Sequence, residues 1–468
     1  MTYPPPNWNR LQQALVGEAI LPGSPGYDAA RKPAIPRFAG IRPTAVVLAA
    51  SPEDVAATIA FAREHGIPAV PRSGGHSFAG HSSTEGIVID VSPMRSVAVN
   101  DGLATIGAGA RLGEVYDALD AHGLTIPAGC GPTVGIAGLA LGGGFGILGR
   151  AHGLLADQLV RAEVVLADGR IVVSDAETEP DLFWALRGAG GGAFGVVTSL
   201  TFRTIPAPQA TVFHLTWPVS QAAEIITAWQ DWAPTGPDEL AASLLLTAFG
   251  QDAASVHLFG AMIAGEQETA AQLEAFTSRL SAQPTTRIQR QLPYREAKRY
   301  LTEHGPGEAE AESIAINGFS YSKSEYFRQS LPAEAIDALV AHLLEDRRTG
   351  EIRILDLSPW GGAYNRVAAD ATAFPHRDEL FLLKQELIID PTLPPDAQEA
   401  GLAWLRRSWE LAHAHGAGGV YPNFPDTDLP AWDRAYHGDN LGRLLEIKRA
   451  YDPDNFFRPG LPRPALAR

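Results

Sequence analysis

The sequence is poor in cysteine and in positive charge, and each shortage excludes a class of protein. Its 468 residues contain one cysteine, Cys130, so no disulfide can form within the chain, which fits a reducing compartment. Lys and Arg number 37 against 53 Asp and Glu, giving a formal net charge of -16. This negative charge argues against non-specific binding to nucleic acid or to an anionic membrane, because both require a cationic surface.

Signals for secretion and for membrane insertion are also scarce. The opening MTYPPPNWNR has no apolar run behind a basic start, so we expect no secretory signal and a cytoplasmic location. The long uncharged run at residues 128–149, AGCGPTVGIAGLALGGGFGILG, is too rich in glycine to predict a membrane helix. We interpret it as backbone packed against a ligand, and we expect neither nucleic acid nor a membrane among the partners.

What is present is ordinary globular composition, with 45% hydrophobic and 19% charged residues, enough for two or three domains. TAVVLAA predicts a strand, Ser51 begins a helix that Gly66 ends, and IPAV predicts a second strand, which together form a parallel unit. Asp-Gly turns then predict two hairpins, in VAVNDGLATIGAG and AEVVLADGRIVVS. We therefore predict a mixed α+β domain over about the first 205 residues.

From about Pro206 the pattern changes to longer strands separated by helices. PAEAIDALVAHLLEDRR is one such helix, and the strands predict a broad antiparallel sheet covered by helices on one face. The predicted strands are TVFHLTW, ELAASLLLTAFG, ASVHLFGAMIAG, EIRILDL and ELFLLKQELII. The final LLEIKRAYDPDNFFRPG predicts a basic helix ending at a Tyr-Asp-Pro turn, which need not belong to the preceding domain.

Three glycine loops are candidates for binding phosphate: Arg72–Ser77, Gly135–Gly146 and Gly188–Gly195. Glycines let backbone N–H groups turn toward an anion. The third loop matches G-x-G-x-x-G, but a helix-like segment precedes it and a strand-like segment follows, which is the reverse of a Rossmann fingerprint. One such loop alone is typical of a tight turn, whereas three favour a dinucleotide with two phosphates.

Four motifs in order, RSGGHS, GPTVGIAGLALGGGFGILGRAHGLLADQL, PDLFWALRGAGGGAFGVVTSLTF, and YPNFPD with GRLLEIKRAYDPDNFF, carry a family resemblance. They resemble the berberine-bridge-enzyme-like branch of the vanillyl-alcohol-oxidase superfamily, whose FAD-binding domain is of the PCMH type. The resemblance implies a bipartite FAD-binding domain, residues 1–205 and 413–468. A substrate domain, residues 206–412, would be inserted between the two parts.

The resemblance also implies that FAD is bonded covalently to His76, the last residue of Arg-Ser-Gly-Gly-His. The alternative is a turn histidine bonded within its own loop. An imidazole tether raises the reduction potential of a flavin and prevents its loss. The resemblance places further flavin contacts at Arg72, Ser73, Gly74, Gly75, Ser77, His81, Ser82, Thr133, Val134, Gly135, Gly138, Gly142, Gly143, Gly144, Gly146, Asp157, Leu159, Gly195, Val197, Tyr421, Asn423 and Asn455.

A second tether in many relatives is the cysteine of a Cys-x-Thr-Val-Gly pattern. Here the run is CGPTVG, so Gly131 stands at the usual cysteine position and Cys130 lies one residue earlier. Glycines on either side can absorb this offset, or the thiol can point away from the flavin and be a buried, inert cysteine. We expect a single tether, through His76.

Oxidation by a flavin also requires a base that takes the substrate proton as hydride leaves. Lys384 and Glu386 fall on one face of a strand, and the resemblance aligns Glu386 with a catalytic Glu or Gln. The alternative for this pair is a solvated ion pair on the outer face. Tyr421 is the second candidate base, because Phe424 replaces the second tyrosine of the Tyr-x-Asn-Tyr that relatives use. For His376 and Arg377 we expect only a positional role.

These residues predict an FAD-linked oxidoreductase acting on a CH–OH or CH–NH group of a carbohydrate or secondary metabolite, with O₂ as the final acceptor and no metal. One alternative is a dehydrogenase of the same fold with another acceptor, because Leu159 falls near the position at which relatives control the access of oxygen. The other is a non-catalytic flavin-binding or ligand-binding protein, which the loss of the usual tyrosine base favours. The sequence does not identify the small-molecule substrate.

Overall fold

The computed structural model describes residues 5–251, 253–305 and 318–458. The strands before residue 207 are β1 Glu18–Ile20, β2 Ala45–Leu48, β3 Ala69–Arg72, β4 Ile87–Asp90, β5 Val97–Asn100, β6 Leu103–Gly107, β7 Leu124–Thr125, β8 Leu159–Val165, β9 Ile171–Asp175, β10 Val196–Arg203 and β11 Ile205–Pro206. The helices of this region are α1 Trp8–Ala14, α2 Tyr27–Ala30, α3 Pro52–His65, α4 Leu112–Asp120, α5 Ile136–Leu141, α6 Gly149–His152 and α7 Pro180–Ala185.

The first sheet has the strand order β1-β2-β4-β3, with β4 parallel to both β2 and β3. Helix α3 begins where Ser51 Oγ accepts the N–H of Asp54 at 3.2 Å, and it ends at Gly66, whose φ is 66°. The predicted parallel strand-helix-strand unit is therefore confirmed, but β4 lies between its two strands. Because β3 and β4 are parallel neighbours, the segment between them must run back from the end of β3 to the edge of the sheet at which β4 begins. This segment carries His76.

The second sheet is antiparallel throughout, with the order β5-β6-β10-β8-β9. Both predicted hairpins are present in it. The β5–β6 turn places Asp101 and Gly102 at φ 48° and 74°, the left-handed conformation that an Asp-Gly turn accommodates. A two-stranded ribbon of β7 and β11 adjoins this region.

The third sheet has seven antiparallel strands in the order β15-β12-β14-β13-β17-β18-β16. These strands are β12 Gln209–Pro218, β13 Leu240–Phe249, β14 Ala253–Met262, β15 Thr286–Pro293, β16 Phe319–Phe327, β17 Glu351–Pro359 and β18 Phe381–Ile389. The helices of this region are α8 Ala222–Trp232, α9 Glu266–Thr277, α10 Tyr294–Glu303, α11 Ala333–Leu344 and α12 Pro395–His413. The predicted antiparallel sheet with a helical cover is confirmed, as is the α+β fold.

The two faces of the seven-stranded sheet differ in chemistry. One face is apolar: Leu244, Leu258 and Leu383 are buried in a core that includes residues of α8, α9, α11 and α12. Side chains alternate along a strand, so the residues immediately before and after each of these leucines belong to the other face. That face mixes apolar and polar side chains and carries Lys384, which lies opposite Asp356 of β17. The two predicted boundaries, at residues 205 and 412, remain predictions.

The last described elements are α13 Trp432–His437 and α14 Leu441–Tyr451, and α14 contacts α7. Lys448 on α14 is fully buried, and its Nζ donates to the carbonyl of Ala193 at 2.6 Å and to the carboxylate of Asp452 at 2.6 Å. The C-terminal segment is thus bonded to the third glycine loop. Within the described residues, no helix combines the length and apolar character needed to cross a membrane.

We expect Asp452→Ala to lower the free energy of unfolding by about 3–5 kcal/mol, because it leaves the Lys448 ammonium buried without its counter-ion. Denaturant unfolding measures this change. Asp454→Ala is the control, since the side chain of Asp454 is 66% exposed and its ion pair with Arg63 should contribute at most about 1 kcal/mol. Equal losses in the two variants would contradict a structural role for the buried pair.

Candidate functional site

A cavity of about 700 Å³ receives residues from the glycine loops, from the third sheet and from the segment Tyr421–Pro425. This volume lies within the range of about 300–1,000 Å³ in which pockets enclose organic ligands. The predicted site residues in its wall are Arg72, Ser73, Gly74, Gly75, His76, Ser77, His81, Ser82, Cys130, Val134, Gly135, Gly138, Gly195, Val197, Lys384, Tyr421 and Asn423. The structure therefore brings together residues as far apart in sequence as Arg72 and Asn423.

The loop after β3 has the backbone of an anion site. Among the residues that the structure describes, no acceptor is found for the N–H groups of Gly74, Gly75, His76 and Ser77. Gly75 has a φ of 72°, and a Cβ on Gly74 would stand 2.2 Å from the backbone nitrogen of Gly135. Glycine is thus required where this loop passes the second one. Successive N–H groups in a turn of this kind suit a phosphate, so the loop fits the pyrophosphate of FAD.

His76 is held in the cavity wall by a hydrogen bond between its Nε2 and Thr133 Oγ1, at 3.0 Å. Burial, with a smaller effect from the positive charge of Arg111, lowers the pKa of His76 below its usual value. The imidazole is therefore neutral at neutral pH and has a lone pair available for bonding. This fits the predicted tether, although the bond itself remains a prediction.

Arg72 lines the cavity, but its guanidinium forms hydrogen bonds with backbone carbonyl groups of the protein. It donates to the carbonyl oxygens of Ala30, Arg31 and Ser82 at 2.8–3.1 Å. The side chain therefore braces the start of the loop, and a phosphate would be bound by the backbone N–H groups instead.

Nine residues predicted for the site do not line the cavity, and for several the structure shows another role. A Cβ on Gly142 would meet Asn423 Oδ1 at 2.1 Å, and one on Gly146 would meet the Ala128 carbonyl at 2.2 Å, so both glycines allow close chain packing. Asp157 binds Arg377 at 2.7 Å, which confers on both a positional role. The full set is Thr133, Gly142, Gly143, Gly144, Gly146, Asp157, Leu159, Glu386 and Asn455.

Leu159 and Asn455 are both held by structural contacts outside the cavity wall. Leu159 begins β8 and is 2% exposed in the hydrophobic core, so it does not border the cavity where oxygen would approach. Asn455 has a left-handed backbone, with φ 51°, and its N–H donates to the Asp452 carbonyl in the turn after α14. Both residues have structural roles in this arrangement.

Cys130 lies in the cavity wall and is contacted by residues of α10. Lys298 on α10 is 2% exposed; its Nζ donates to the carbonyls of Ala128 and Gly129 and lies 3.6 Å from Cys130 Sγ. Thr302 Oγ1 donates to the Cys130 carbonyl at 3.0 Å. The segment around Cys130 is thus fixed by α10, and its sulfur already has a hydrogen-bond donor.

The polar face of the third sheet supplies three ionisable groups. Lys384 Nζ donates to Glu386 Oε2 at 2.6 Å, and both side chains are mostly buried, at 16% and 14% exposure. Burial alone would raise the pKa of Glu386, but the charge of Lys384 and hydrogen bonds from Lys384 and Ser320 outweigh it and lower that pKa. The pair is therefore not solvated on the outer face, yet Glu386 stands behind Lys384 rather than in the cavity wall.

Asp356 is the site residue that the sequence did not reveal. It lies in the cavity wall, directly across from Lys384 in the β17–β18 pairing. Burial raises the pKa of Asp356 to about 6, against the lowering effects of Lys384 and Ser358. The signal in the sequence was the acid Asp356 of EIRILDL, which stands between two leucines.

Tyr421 is an unsuitable base. Its hydroxyl oxygen accepts the N–H of Gly144 at 2.9 Å and the side-chain amide of Asn423 at 3.1 Å. Burial raises its pKa to about 12. These contacts favour a different role for Tyr421, in which the hydroxyl positions the second glycine loop. Phe424 lies in the cavity wall, and its ring and that of Phe78 flank the Lys384 ammonium at 5.1 and 5.3 Å.

No group of three or more His, Cys, Asp or Glu side chains that would hold a metal ion is found in the described part of the chain. The chemistry available in the cavity comprises a loop of backbone N–H groups, a neutral imidazole, a partly buried carboxyl group with a pKa of about 6 and a lysine beside it.

Two family models match the chain. Residues 43–175 match the model of an FAD binding domain, and residues 420–460 match a model described as berberine and berberine like. The uncharacterized FAD-linked oxidoreductase YgaK of Bacillus subtilis is 33% identical over 95% of this chain and 96% of its own length. Berberine bridge enzyme-like 12 of Arabidopsis thaliana is 31% identical over 89% of this chain and 84% of its own.

Solved structures agree with these relatives. Physcomitrella patens BBE-like 1 superposes with a TM-score of 0.87 at 27% identity, covering 99% of this chain and 100% of that one. A xylooligosaccharide oxidase from Myceliophthora thermophila C1, in complex with xylobiose, superposes with a TM-score of 0.85 at 26% identity, covering 98% and 99%.

Proposed function

Because the chain belongs to the berberine-bridge-enzyme-like family of FAD-linked oxidoreductases, we propose that it oxidises a CH–OH group of a carbohydrate or a related natural product to C=O. The two electrons and two protons removed reduce O₂ to H₂O₂. The observation that carries the proposal is the presence of Asp356, Lys384 and His76 in the wall of one cavity. An alcohol oxidation requires a substrate C–H held next to the flavin and a base within reach of the hydroxyl proton, and residues of this one cavity would supply both.

FAD, when bound, supplies the acceptor for the hydride. The N–H groups from Gly74 to Ser77 would hold its pyrophosphate, and His76 would form the covalent link. The remaining glycines of the wall let backbone approach the cofactor closely.

Asp356 takes the hydroxyl proton of the substrate in this proposal. With a pKa of about 6, the carboxylate predominates at neutral pH and still has useful proton affinity. Lys384 lies beside it and donates a hydrogen bond to Glu386. Glu386, whose pKa is lowered, is the weaker base and lies outside the cavity wall, so it positions Lys384.

Anaerobic mixing of the purified protein with candidate sugars tests the function. We use xylobiose as the first probe, because a structural neighbour was solved with it, and D-xylose and a simple primary alcohol as comparisons. Bleaching of the flavin absorbance, followed by recovery with release of H₂O₂ when air is admitted, is the expected result. Bleaching that air does not reverse, while an artificial acceptor does, would point to a dehydrogenase.

For Cys130 we expect no bond to the flavin, because the cysteine is offset from the family pattern and its Sγ is held beside Lys298. Peptide mass mapping after proteolysis measures this directly. The flavin should appear on a peptide that contains His76 and be absent from the one that contains Cys130. A flavin mass on the Cys130 peptide would show that the neighbouring glycines absorb the offset.

A further inference from the structure

Asp356 has one hydrogen-bond donor among the residues that the structure describes. Ser358 Oγ donates to Asp356 Oδ1 at 3.2 Å. The two residues are two positions apart on β17, so their side chains lie on the same face of the sheet. Lys384 stands opposite Asp356 in the pairing with β18, but its Nζ donates to Glu386. Ser358 therefore supplies the hydrogen bond that fixes the orientation of this carboxylate.

A second serine fixes the direction of this hydrogen bond. Ser243 lies on the neighbouring strand β13, and its Oγ is 3.2 Å from Ser358 Oγ. A serine hydroxyl has one proton to donate and two lone pairs that accept. Because the proton of Ser358 is donated to Asp356, Ser358 accepts the proton of Ser243. Both hydroxyl protons of Ser243 and Ser358, which we call the serine pair, thus point toward the carboxylate.

The contact leaves the other carboxylate oxygen available. Asp356 lies in the cavity wall, and within the described residues its Oδ2 has no hydrogen-bond partner. A general base needs an oxygen within about 2.6–3.2 Å of the group whose proton it takes. A carboxylate bonded at Oδ1 presents Oδ2 to the cavity in one orientation. Without that bond the group would turn about its Cβ–Cγ bond, because this torsion of aspartate has broad energy minima.

We propose that Ser358 is the positioning residue of Asp356 and that Ser243 holds Ser358 in this role. The inference rests on the proposed function, in which Asp356 takes the hydroxyl proton of the substrate, and it adds two residues on which that step depends. Both serines are among the described residues that lie outside the cavity wall. They therefore act through the carboxylate and not on the substrate.

The charges around Asp356 make the effect of the serine pair separable from theirs. Burial raises the pKa of Asp356 to about 6; Lys384 and Ser358 lower it, and the charge of Glu386 raises it. On β13 the residue opposite Asp356 is the uncharged Leu245. The other titratable side chains of the cavity wall are Arg72, His76, His81, Cys130 and Tyr421. Loss of the Ser358 hydroxyl removes a bond to the charged form and should raise this pKa, whereas loss of Glu386 should lower it.

Infrared titration of the flavin-loaded protein without substrate measures the hydrogen bond directly, because a protonated carboxyl group has its own C=O band, which Asp356→Asn assigns. We expect Ser358→Ala to raise the midpoint by about one pH unit, the effect of losing a hydrogen bond to a charged group. Ser243→Ala should raise it by less, and Ser358→Thr should restore it. Ser255→Ala is the matched control, since it removes a hydrogen-bonded hydroxyl from β14, two strands away from β17.

Anaerobic flavin reduction with the sugar probes tests the consequence for the reaction. At a pH above both midpoints, Ser358→Ala should still lower the limiting rate about tenfold, because its charged carboxylate is no longer oriented, and Ser358→Thr should recover the rate. The apparent affinity for the probe should stay the same. An unchanged midpoint, or an unchanged limiting rate at this pH, would overturn the inference. If the wild type reduces with no probe, the proposed function fails, while the titration still decides whether the serine pair holds Asp356.

Discussion

Replacement of Asp356 by Asn should slow flavin reduction by about 100-fold or more, the usual contribution of a positioned general base. Wild-type reduction should rise with pH through about 6, the pKa to which burial raises Asp356, and level off above it, because only the carboxylate accepts a proton. The amide of Asn cannot do so, and the rise should vanish. Stopped-flow reduction under anaerobic conditions, across pH, measures both effects.

Glu386→Gln distinguishes Asp356 as the general base from Glu386, the base that the sequence favoured. The negative charge of Glu386 helps to raise the pKa of Asp356, so its removal should move the pH profile to lower pH and keep the plateau within about tenfold. Asp337→Asn, on the exposed side of α11, should change nothing. If Glu386→Gln abolishes reduction and Asp356→Asn does not, the base is Glu386.

Replacement of His76 by Ala should convert the flavin from acid-stable to fully acid-extractable. The wild type should remain yellow in the precipitate after acid treatment, because the cofactor is bonded to the imidazole. The variant should still bind some FAD through the N–H groups of the Gly74–Ser77 loop, and its turnover should be slower because the reduction potential falls. Absorbance of precipitate and supernatant gives the covalent fraction.

His81→Ala is the matched control, since this histidine also lies in the cavity wall. Its flavin should stay in the acid precipitate. Thr133→Val removes the hydrogen bond to His76 Nε2 and should slow attachment without preventing it. Acid-stable flavin in His76→Ala would assign the tether to another residue, and Cys130 would then be the first to map.

Short sequence patterns were sufficient to predict the boundaries of α3 and the two hairpins of the second sheet. Ser51 and Gly66 delimit α3 because capping depends on neighbouring residues alone, and the Asp-Gly turns give the two hairpins for the same reason. The position of β4 between β2 and β3 was not predicted, because strand order depends on long-range pairing. The family model over residues 43–175 confirms the FAD-binding assignment that the glycine loops and the resemblance predicted.

The site was predictable only where a motif spans consecutive residues. The loop from Arg72 to Ser77 was found in this way. Asp356 and Lys384 are 28 positions apart and become neighbours only through the β17–β18 pairing, which no single-strand pattern specifies. Tyr421 looked like a base by its residue type, but its hydrogen bonds to Gly144 and Asn423 depend on how distant loops pack.

The cavity wall includes Tyr421–Pro425 as well as the loop after β3, and this has a consequence for synthesis on the ribosome. A nascent chain that has just released the first two sheets contains the Gly74–Ser77 loop and His76 but lacks one side of the cavity. The third glycine loop likewise lacks a contact until Lys448 is made, because Lys448 Nζ donates a hydrogen bond to the carbonyl of Ala193 in that loop. Stable flavin loading should therefore begin only after translation has passed the C-terminal helix, so ribosome-stalled chains ending before residue 420 should retain no flavin.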